Sequence, residues 1–565
     1  MNLITVAILV LLLLSAAIVI HLVYFIADPH ALCSYPGPFL AKISDIWLGR
    51  VAAQGHRSEL VHQLHEQHGK PHHAMQDRRI FVRLAPNHLS ISDPAAIQEI
   101  YAHGNGTTKS DFYDAFVSIT RGLFNTRSRA DHSRKRKVVA HVFSQKSVLE
   151  FEPYTRVHVA ALFRQWDRLC GLGAKGFAGK EGEGWRGEDG RVWMDCLPWF
   201  NYLAFDIIGD LAFGAPFGML QACADTAPTV LSQEAAMASY GSSEKGSPEV
   251  TYCPAVRIIN ERGEYSASIG VLPTHWRPWL ARFVPWYRQG SASVELLAGM
   301  AIAAISKRLA APTERTDLLS KLQQGKDKEG SPLGAKELTA DALTQLIAGS
   351  DTTSNTSCAI AYYLAVNPDV QQKLQAELDA ALSGEEDPIV TFEQVKRLPY
   401  LDAVINEGMR VHSTSGIGLP REVASGGLTV CGRFFPEGTV LSVPTYTVHR
   451  NKEIWGSDAD LFRPERWLER DKNELQKAFN PFSFGPRGCI GRNLASMELF
   501  IIIASVFQRY HFVLEEPSQK ACLQGLYRGP SLRMLMMIPQ LDIKEGFLRK
   551  PVMCRVGMKR RGAGM

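Results

Sequence analysis

The sequence predicts a mainly α-helical protein with a small β-rich subdomain, preceded by one transmembrane helix. Three observations carry this reading. Residues Leu3 to Ala27 form a single apolar run. Helix-like segments dominate from Phe112 to Ala310 and again from Ala335, where the longest ends at Asn367-Pro368. Short strands with turns fall between Arg421 and Val443.

A bilayer core takes about 20 apolar residues, so the run from Leu3 is long enough to cross. A secretory signal starts with basic residues and has a shorter apolar stretch. Here no Lys or Arg precedes the run, whereas Lys42 and Arg50 follow it. The positive-inside rule then keeps the bulk of the chain in the cytosol. The expected division is an anchor over 1–28 and one folded domain over 29–565, with Pro36-Gly37-Pro38 stiffening the junction. On the cytosolic side the sequons at Asn105 and Asn355 stay unmodified.

The 565 residues are 45% hydrophobic and 21% charged, with a net charge of +5. That balance suits a globular core large enough to enclose a cofactor and offers nothing for nucleic-acid binding. Ten cysteines are scattered from Cys33 to Cys554 without a CxxC pair or zinc-finger spacing. A reduced environment fits, and nine of the ten are expected to be inert.

Along the chain, Ile80–Leu84 and Leu89–Ser92 alternate like a hairpin, and Asp93 caps a helix opening at Pro94. A helix over 335–366 would span about 48 Å, enough to cross a whole domain. Further helices read at 368–382, 400–411 and 492–510. The stretch 171–190 holds eight glycines and many charges and reads as a loop or insertion. Gly171-Leu-Gly-Ala-Lys-Gly176 inside it spells GxGxxG. A dinucleotide site needs a strand before those glycines and a helix after them; here a helical run precedes and loop follows. Any electrons must therefore come from a separate protein.

The strongest chemical signal is Phe482-Ser-Phe-Gly485-Pro-Arg487-Gly-Cys489-Ile-Gly491. A glycine-rich turn around one buried cysteine would match these five specified positions by chance on the order of once in thousands of chains. A thiolate bound to haem iron pushes electron density onto the metal and needs N–H donors and shelter from solvent. Glycines at 485, 488 and 491 let the backbone approach a flat macrocycle, and the following helix points its positive end at the sulfur. The segment resembles the FxxGxRxCxG signature of the cytochrome P-450 family.

That resemblance implies the cytochrome P-450 fold, a b-type haem (heme b) with Cys489 as axial ligand, and O2 and NADPH as co-substrates. Other marks of the family follow in order. Gly349 to Ser357 is glycine or polar throughout, inside the long helix, and so has poor helix propensity. Splitting dioxygen needs protons delivered above the haem, and the resemblance gives that relay to Asp351 and Thr352, with a helix distortion making room. Glu407 and Arg410 lie three apart on a helix; with Arg466 they resemble the family's structural Glu-Arg-Arg cluster. His132-Ser-Arg-Lys-Arg136 stands where the family usually has WxxxR, so His132 and Arg136 are implied propionate partners. Arg421 and Arg487 are further propionate candidates, and Phe482 belongs to the haem-side loop.

Longer stretches narrow the resemblance to the fungal benzoate 4-monooxygenases: 109–127, 201–220, 343–360, 545–551 and 556–561. It implies conversion of benzoate to 4-hydroxybenzoate at the endoplasmic reticulum membrane. Electrons would come through NADPH-cytochrome P-450 reductase, with cytochrome b5 as a further donor. A benzoate pocket needs aromatic walls and a partner for the carboxylate. Phe112, Tyr113, Phe116 and Phe124 are candidates for the first, and Arg121, Thr120, Ser413 and Thr414 for the second. Ordinary core packing would account for the aromatics equally well. The same machinery would serve another phenolic, aromatic or terpenoid metabolite, and an isomerase or a haem-binding protein without turnover would share the signature. Stretches 71–80, 171–190 and 523–544 look longer than this group requires, the last interrupting the C-terminal strands.

Overall fold

The computed structural model describes residues 22–68, 80–238, 240, 249–310, 317–385, 387–515 and 541–562, together with Leu12, Ser15 and Val19. The expected anchor over 1–28 lies mostly outside the described residues. Among the described residues no helix is long and apolar enough to cross a membrane.

The architecture is mainly helical with small sheets. Helices Arg129–Ala140 (α1), Leu197–Phe213 (α2), Ala255–Ile269 (α3) and Pro285–Ala310 (α4) precede the longest one, Ala335–Val366 (α5). Pro399–His412 (α6) and Arg492–Arg509 (α7) follow it. The longest helix matches its predicted bounds, and Asn367, whose N–H closes onto the Tyr363 carbonyl, ends it. It packs against α2, α4, α6 and α7. Every residue of α2 but Leu197 is buried, and its buried acids are partnered: Asp206 accepts from the Gly218, Met219 and Leu220 N–H groups and Asp210 faces His158. One large core cluster joins these helices through Leu346, Ile360, Leu401 and Ile501.

The predicted N-terminal hairpin forms from Phe81–Ala85 and His88–Ile91, and Asp93 accepts a bond from the Ala95 N–H. A crossover adds Val440–Ser442 parallel to His88–Ile91, and Arg421–Val423 and Thr107–Lys109 complete a five-stranded sheet. Its register sets Lys109 opposite Arg421.

The segment 171–190 is corrected by the structure. Residues up to Gly173 extend helix Glu152–Gly173, and the rest forms strands that continue a sheet in the order 510–514, 555–560, 191–195, 185–188, 178–179. The glycines permit close packing of this hairpin on the helix: a Cβ at Gly187 would lie 2.2 Å from the Gly173 carbonyl oxygen. The GxGxxG run therefore ends a helix instead of opening one. A second hairpin, Ala227–Val230 with Val250–Cys253, lies inside the stretch expected to be helical. Residues 69–79 and 516–540, which contain most of the other two long stretches, lie outside the described residues. Cys196, Cys358 and Cys554 are buried with sulfurs within 4.8 Å of one another, a gathering their sequence spacing does not show.

Candidate functional site

Cys489 sits on the loop between Phe482 and α7. Its N–H donates to the Phe482 carbonyl at 2.8 Å. Ser483 and Gly485 take left-handed backbone angles, φ 57° and 69°. Gly485 is required at its position, because a Cβ there would stand 1.9 Å from the Tyr101 carbonyl oxygen. Gly488 and Gly491 have ordinary φ values of −60° and −81°, so of the three only Gly485 needs glycine for its backbone angle. At Gly491 a Cβ would meet nothing within 4 Å, and the backbone there is open to close approach.

The thiol environment is mixed. Burial pushes the Cys489 thiol up, whereas the Gly491 N–H, Arg136 and Arg492 favour the thiolate. The residue still keeps exposed surface. Arg136, on α1, donates to the Gly488 carbonyl at 2.9 Å and so ties α1 to this loop.

A cavity of about 480 Å³ is lined by His132, Arg136, Arg421 and Arg487, which are the four sequence-predicted propionate partners, and by Lys109. Arg487 is held by the carbonyls of Thr126 and Arg127 at 2.6 and 2.9 Å. Arg421 donates to the Tyr113 hydroxyl at 2.9 Å and lies over the Tyr101 ring. Burial and then Arg421 and Arg487 hold the Lys109 ammonium well below its ordinary range. Burial and then Arg487, Lys109, Arg136 and Arg421 push His132 down to about 3, and Arg487 itself falls to about 10.

Among the described residues none of Lys109, Arg136, Arg421 and Arg487 pairs with a carboxylate. Buried like charges facing each other across strands are costly. A dianionic group balances them, and two propionates supply that charge. The donor set, the open backbone at Gly491 and the thiol beyond it fit haem.

On α5, Asp351 is buried. Its Oδ2 lies 2.5 Å from Lys550 Nζ and its Oδ1 accepts from Asn355 Nδ2 at 3.2 Å. Lys550 also donates to Asn260 Oδ1 on α3 at 2.5 Å. Asn355 is itself buried, which removes its sequon from modification in the folded chain. Thr352 Oγ1 donates to the Ala348 carbonyl at 2.7 Å. The expected distortion is not observed: α5 continues unbroken, and the hydroxyls of Thr344, Ser350 and Thr352 bond back to the carbonyls four residues earlier. Ala348 is exposed, and Ile347, Gly349 and Thr352 are half-buried, whereas the other residues of 345–357 are buried. Beneath them Thr353 donates to Glu498 Oε2 at 2.9 Å, and burial pushes that carboxyl up to about 7.

The Glu-Arg-Arg cluster is formed. Glu407 is fully buried and accepts two bonds from Arg410 at 2.8 and 2.9 Å, one from Arg466 at 2.9 Å and one from Trp467 Nε1 at 3.0 Å. Burial pushes its carboxyl up, but the two guanidiniums win and hold it below its ordinary value.

Phe112, Tyr113, Phe116 and Phe124 come together, and Phe547 from the C-terminal hairpin completes the group, 5.0 Å from Phe116 and 5.3 Å from Phe124. Thr414 pairs with Thr356 at 3.0 Å, and Ser413 donates to the Arg410 carbonyl at 2.7 Å. Arg121 is corrected: it is exposed and neutralised by Asp114 at 2.6 Å, within a network reaching Arg127 and Glu422. Sequence reasoning missed Lys550, Asn260, Phe547 and Glu498. Their partners are remote in the chain, and only the apolar character of Phe547 was a signal.

A family model for cytochrome P-450 matches residues 47–537. The chain is 45% identical to a benzoate 4-monooxygenase of Aspergillus niger over 98% of its length and 97% of that protein's. It is 30% identical to a cytochrome P-450 monooxygenase of Penicillium oxalicum over 89% and 90% of the two chains. It is likewise 30% identical to a pisatin demethylase of Fusarium vanettenii over 84% of each. Members of this family carry haem with thiolate-coordinated iron and draw electrons from NADPH through a reductase. Taken with the cysteine loop, the cationic slot and the buried glutamate–arginine cluster, this establishes that the chain belongs to the cytochrome P-450 family of monooxygenases.

Proposed function

We propose that this chain hydroxylates benzoate to 4-hydroxybenzoate. The observation that carries the proposal is the 45% identity to a benzoate 4-monooxygenase along 98% of the chain. The aromatic group around Phe116 supports it, since flat apolar walls suit a benzene ring. When bound, haem with a thiolate ligand supplies dioxygen activation and oxygen insertion.

The chain's own residues act around it. Cys489 would provide the thiolate; burial pushes its thiol up, and the Gly491 N–H with the Arg136 and Arg492 charges opposes that. Arg136, Arg421, Arg487 and His132 would hold the propionates, with Lys109 beside them. Thr352 Oγ1 and the Asp351 carboxylate pass protons inward from the Lys550–Asn260 side. Glu407, Arg410 and Arg466 lock the segment behind the cysteine loop. Residues 1–28 anchor the protein in the endoplasmic reticulum membrane with the domain in the cytosol. There NADPH-cytochrome P-450 reductase supplies electrons and cytochrome b5 can assist.

The test is turnover of full-length protein with that reductase, NADPH, benzoate and isotopically labelled dioxygen. The expected product is 4-hydroxybenzoate carrying one labelled oxygen. NADPH consumption with no hydroxylated benzoate, alongside hydroxylation of another aromatic compound, would overturn the substrate.

A further inference from the structure

Arg262, on α3, is a buried cation with unused hydrogen-bonding capacity. The residue is 7% exposed. One terminal nitrogen donates to the Phe116 carbonyl at 3.0 Å, and the guanidinium lies 5.0 Å from the centre of the Phe116 ring. Its Nε is buried with no hydrogen-bond partner, and among the described residues Arg262 forms no ion pair. Leaving such a donor unmet costs free energy, so an arginine kept here asks for an anion.

The charges around it do not balance. Burial lowers the Arg262 guanidinium to about 10, with Asp351 pulling the other way, but Asp351 is already engaged at 2.5 Å by Lys550. Lys550 is held in turn by Asn260, two residues from Arg262 on the same helix. Two buried cations thus share one carboxylate. The excess positive charge stands at the edge of the aromatic group of Phe112, Phe116, Phe124 and Phe547. A planar apolar body with one carboxylate completes both halves of this arrangement, and guanidinium is the side chain best shaped to receive a carboxylate.

We infer that Arg262 binds the carboxylate of an aromatic-acid substrate, with the ring against the Phe116 group. This rests on the proposed benzoate chemistry and deepens it. It also replaces Arg121, whose charge Asp114 already satisfies. The pairing would fix the end of the ring that points away from the reaction centre and so favour attack opposite the carboxylate.

The test is spectral titration of ferric holoprotein with benzoate and with its neutral methyl ester, for wild type, Arg262→Gln and Arg262→Lys. Wild type should bind benzoate the more tightly. In Arg262→Gln benzoate affinity should fall by about 30-fold or more, the order expected for losing charged hydrogen bonds. Ester affinity should change by less than about 3-fold on the same scale. Arg262→Lys should keep part of the preference for the acid. Benzoate binding unchanged in Arg262→Gln, or a wild type that binds ester and acid equally, would overturn the inference while leaving the hydroxylase reading to product analysis. If Arg262→Gln fails to hold haem, the wild-type ratio and the lysine variant decide. A wild type that responds to neither compound would sink the benzoate reading itself, and this inference with it.

Discussion

Lys550 Nζ, on the C-terminal hairpin, lies 2.5 Å from Asp351 Oδ2 in the middle of α5. A buried pair of this kind contributes little net stability while intact, but breaking one side strands the other. Lys550→Met should therefore destabilise the protein by about 3–5 kcal/mol. It should also lower the product formed per NADPH, because the relay we propose through Asp351 and Thr352 would lose its outer partner. Thermal unfolding and coupling assays read these separately. Adding Asp351→Asn should restore stability more than coupling, and full coupling in Lys550→Met would remove Lys550 from the relay.

The Glu407 cluster predicts a different pattern. Arg466 contacts Glu407, Asp458 and the Trp455 carbonyl and, among the described residues, none of the aromatic group around Phe116. Arg466→Ala leaves Glu407 buried with half its cationic partners gone and should cost about 3–5 kcal/mol. Haem content on purification should fall in step, with substrate preference unchanged in the fraction that folds. Normal haem content at growth temperature would contradict the structural role.

Gly485 combines a φ of 69° with a neighbouring backbone oxygen 1.9 Å from where a Cβ would stand. Gly485→Ala should lose at least about 2 kcal/mol, since both the left-handed backbone and the clash oppose it. Gly491→Ala meets no protein atom within 4 Å. In the apoprotein it should be nearly neutral, and its effect should appear in haem affinity. Equal losses of apoprotein stability in the two variants would refute the distinction.

Glu498 gives a pH dependence with a definite sign. Burial raises its folded pKa to about 7 from the ordinary glutamate value of 4.5, with the Thr353 hydroxyl pulling the other way. Below the unfolded pKa the group is protonated in both states. Between about 4.5 and 7 the folded state alone holds the proton, so this contribution to stability falls as pH rises through that window, by on the order of 3 kcal/mol. Glu498→Gln still accepts the Thr353 bond and should flatten that slope and be the more stable form at pH 8. Identical pH–stability profiles for the two proteins would contradict it.

Much of this site was legible in the sequence because its signals are local. The cysteine loop, Glu407 and Arg410 on one turn, and the long helix closed by Asn367 each depend on neighbours a few residues away. The cationic slot was anticipated residue by residue, though the buried Lys109 opposite Arg421 needed the sheet register to be seen. The hairpin after Gly173 was hidden, because its glycine-rich, charged composition resembles a loop. Its hydrogen bonds are completed by strands near the C-terminus, more than 300 residues away. Arg262 and Lys550 were illegible for the same reason: what distinguishes them is a charge balance set by α3, α5 and the last hairpin together.

The central claim is that Cys489 holds a haem beneath a pocket built for an aromatic acid. Titrating purified ferric protein with benzoate while following the haem Soret band tests it most directly. The account predicts a thiolate-ligated spectrum and a saturable low-to-high-spin shift. A normal thiolate spectrum that benzoate leaves unmoved would contradict the substrate, and a spectrum unaffected by Cys489→Ala would contradict the ligand.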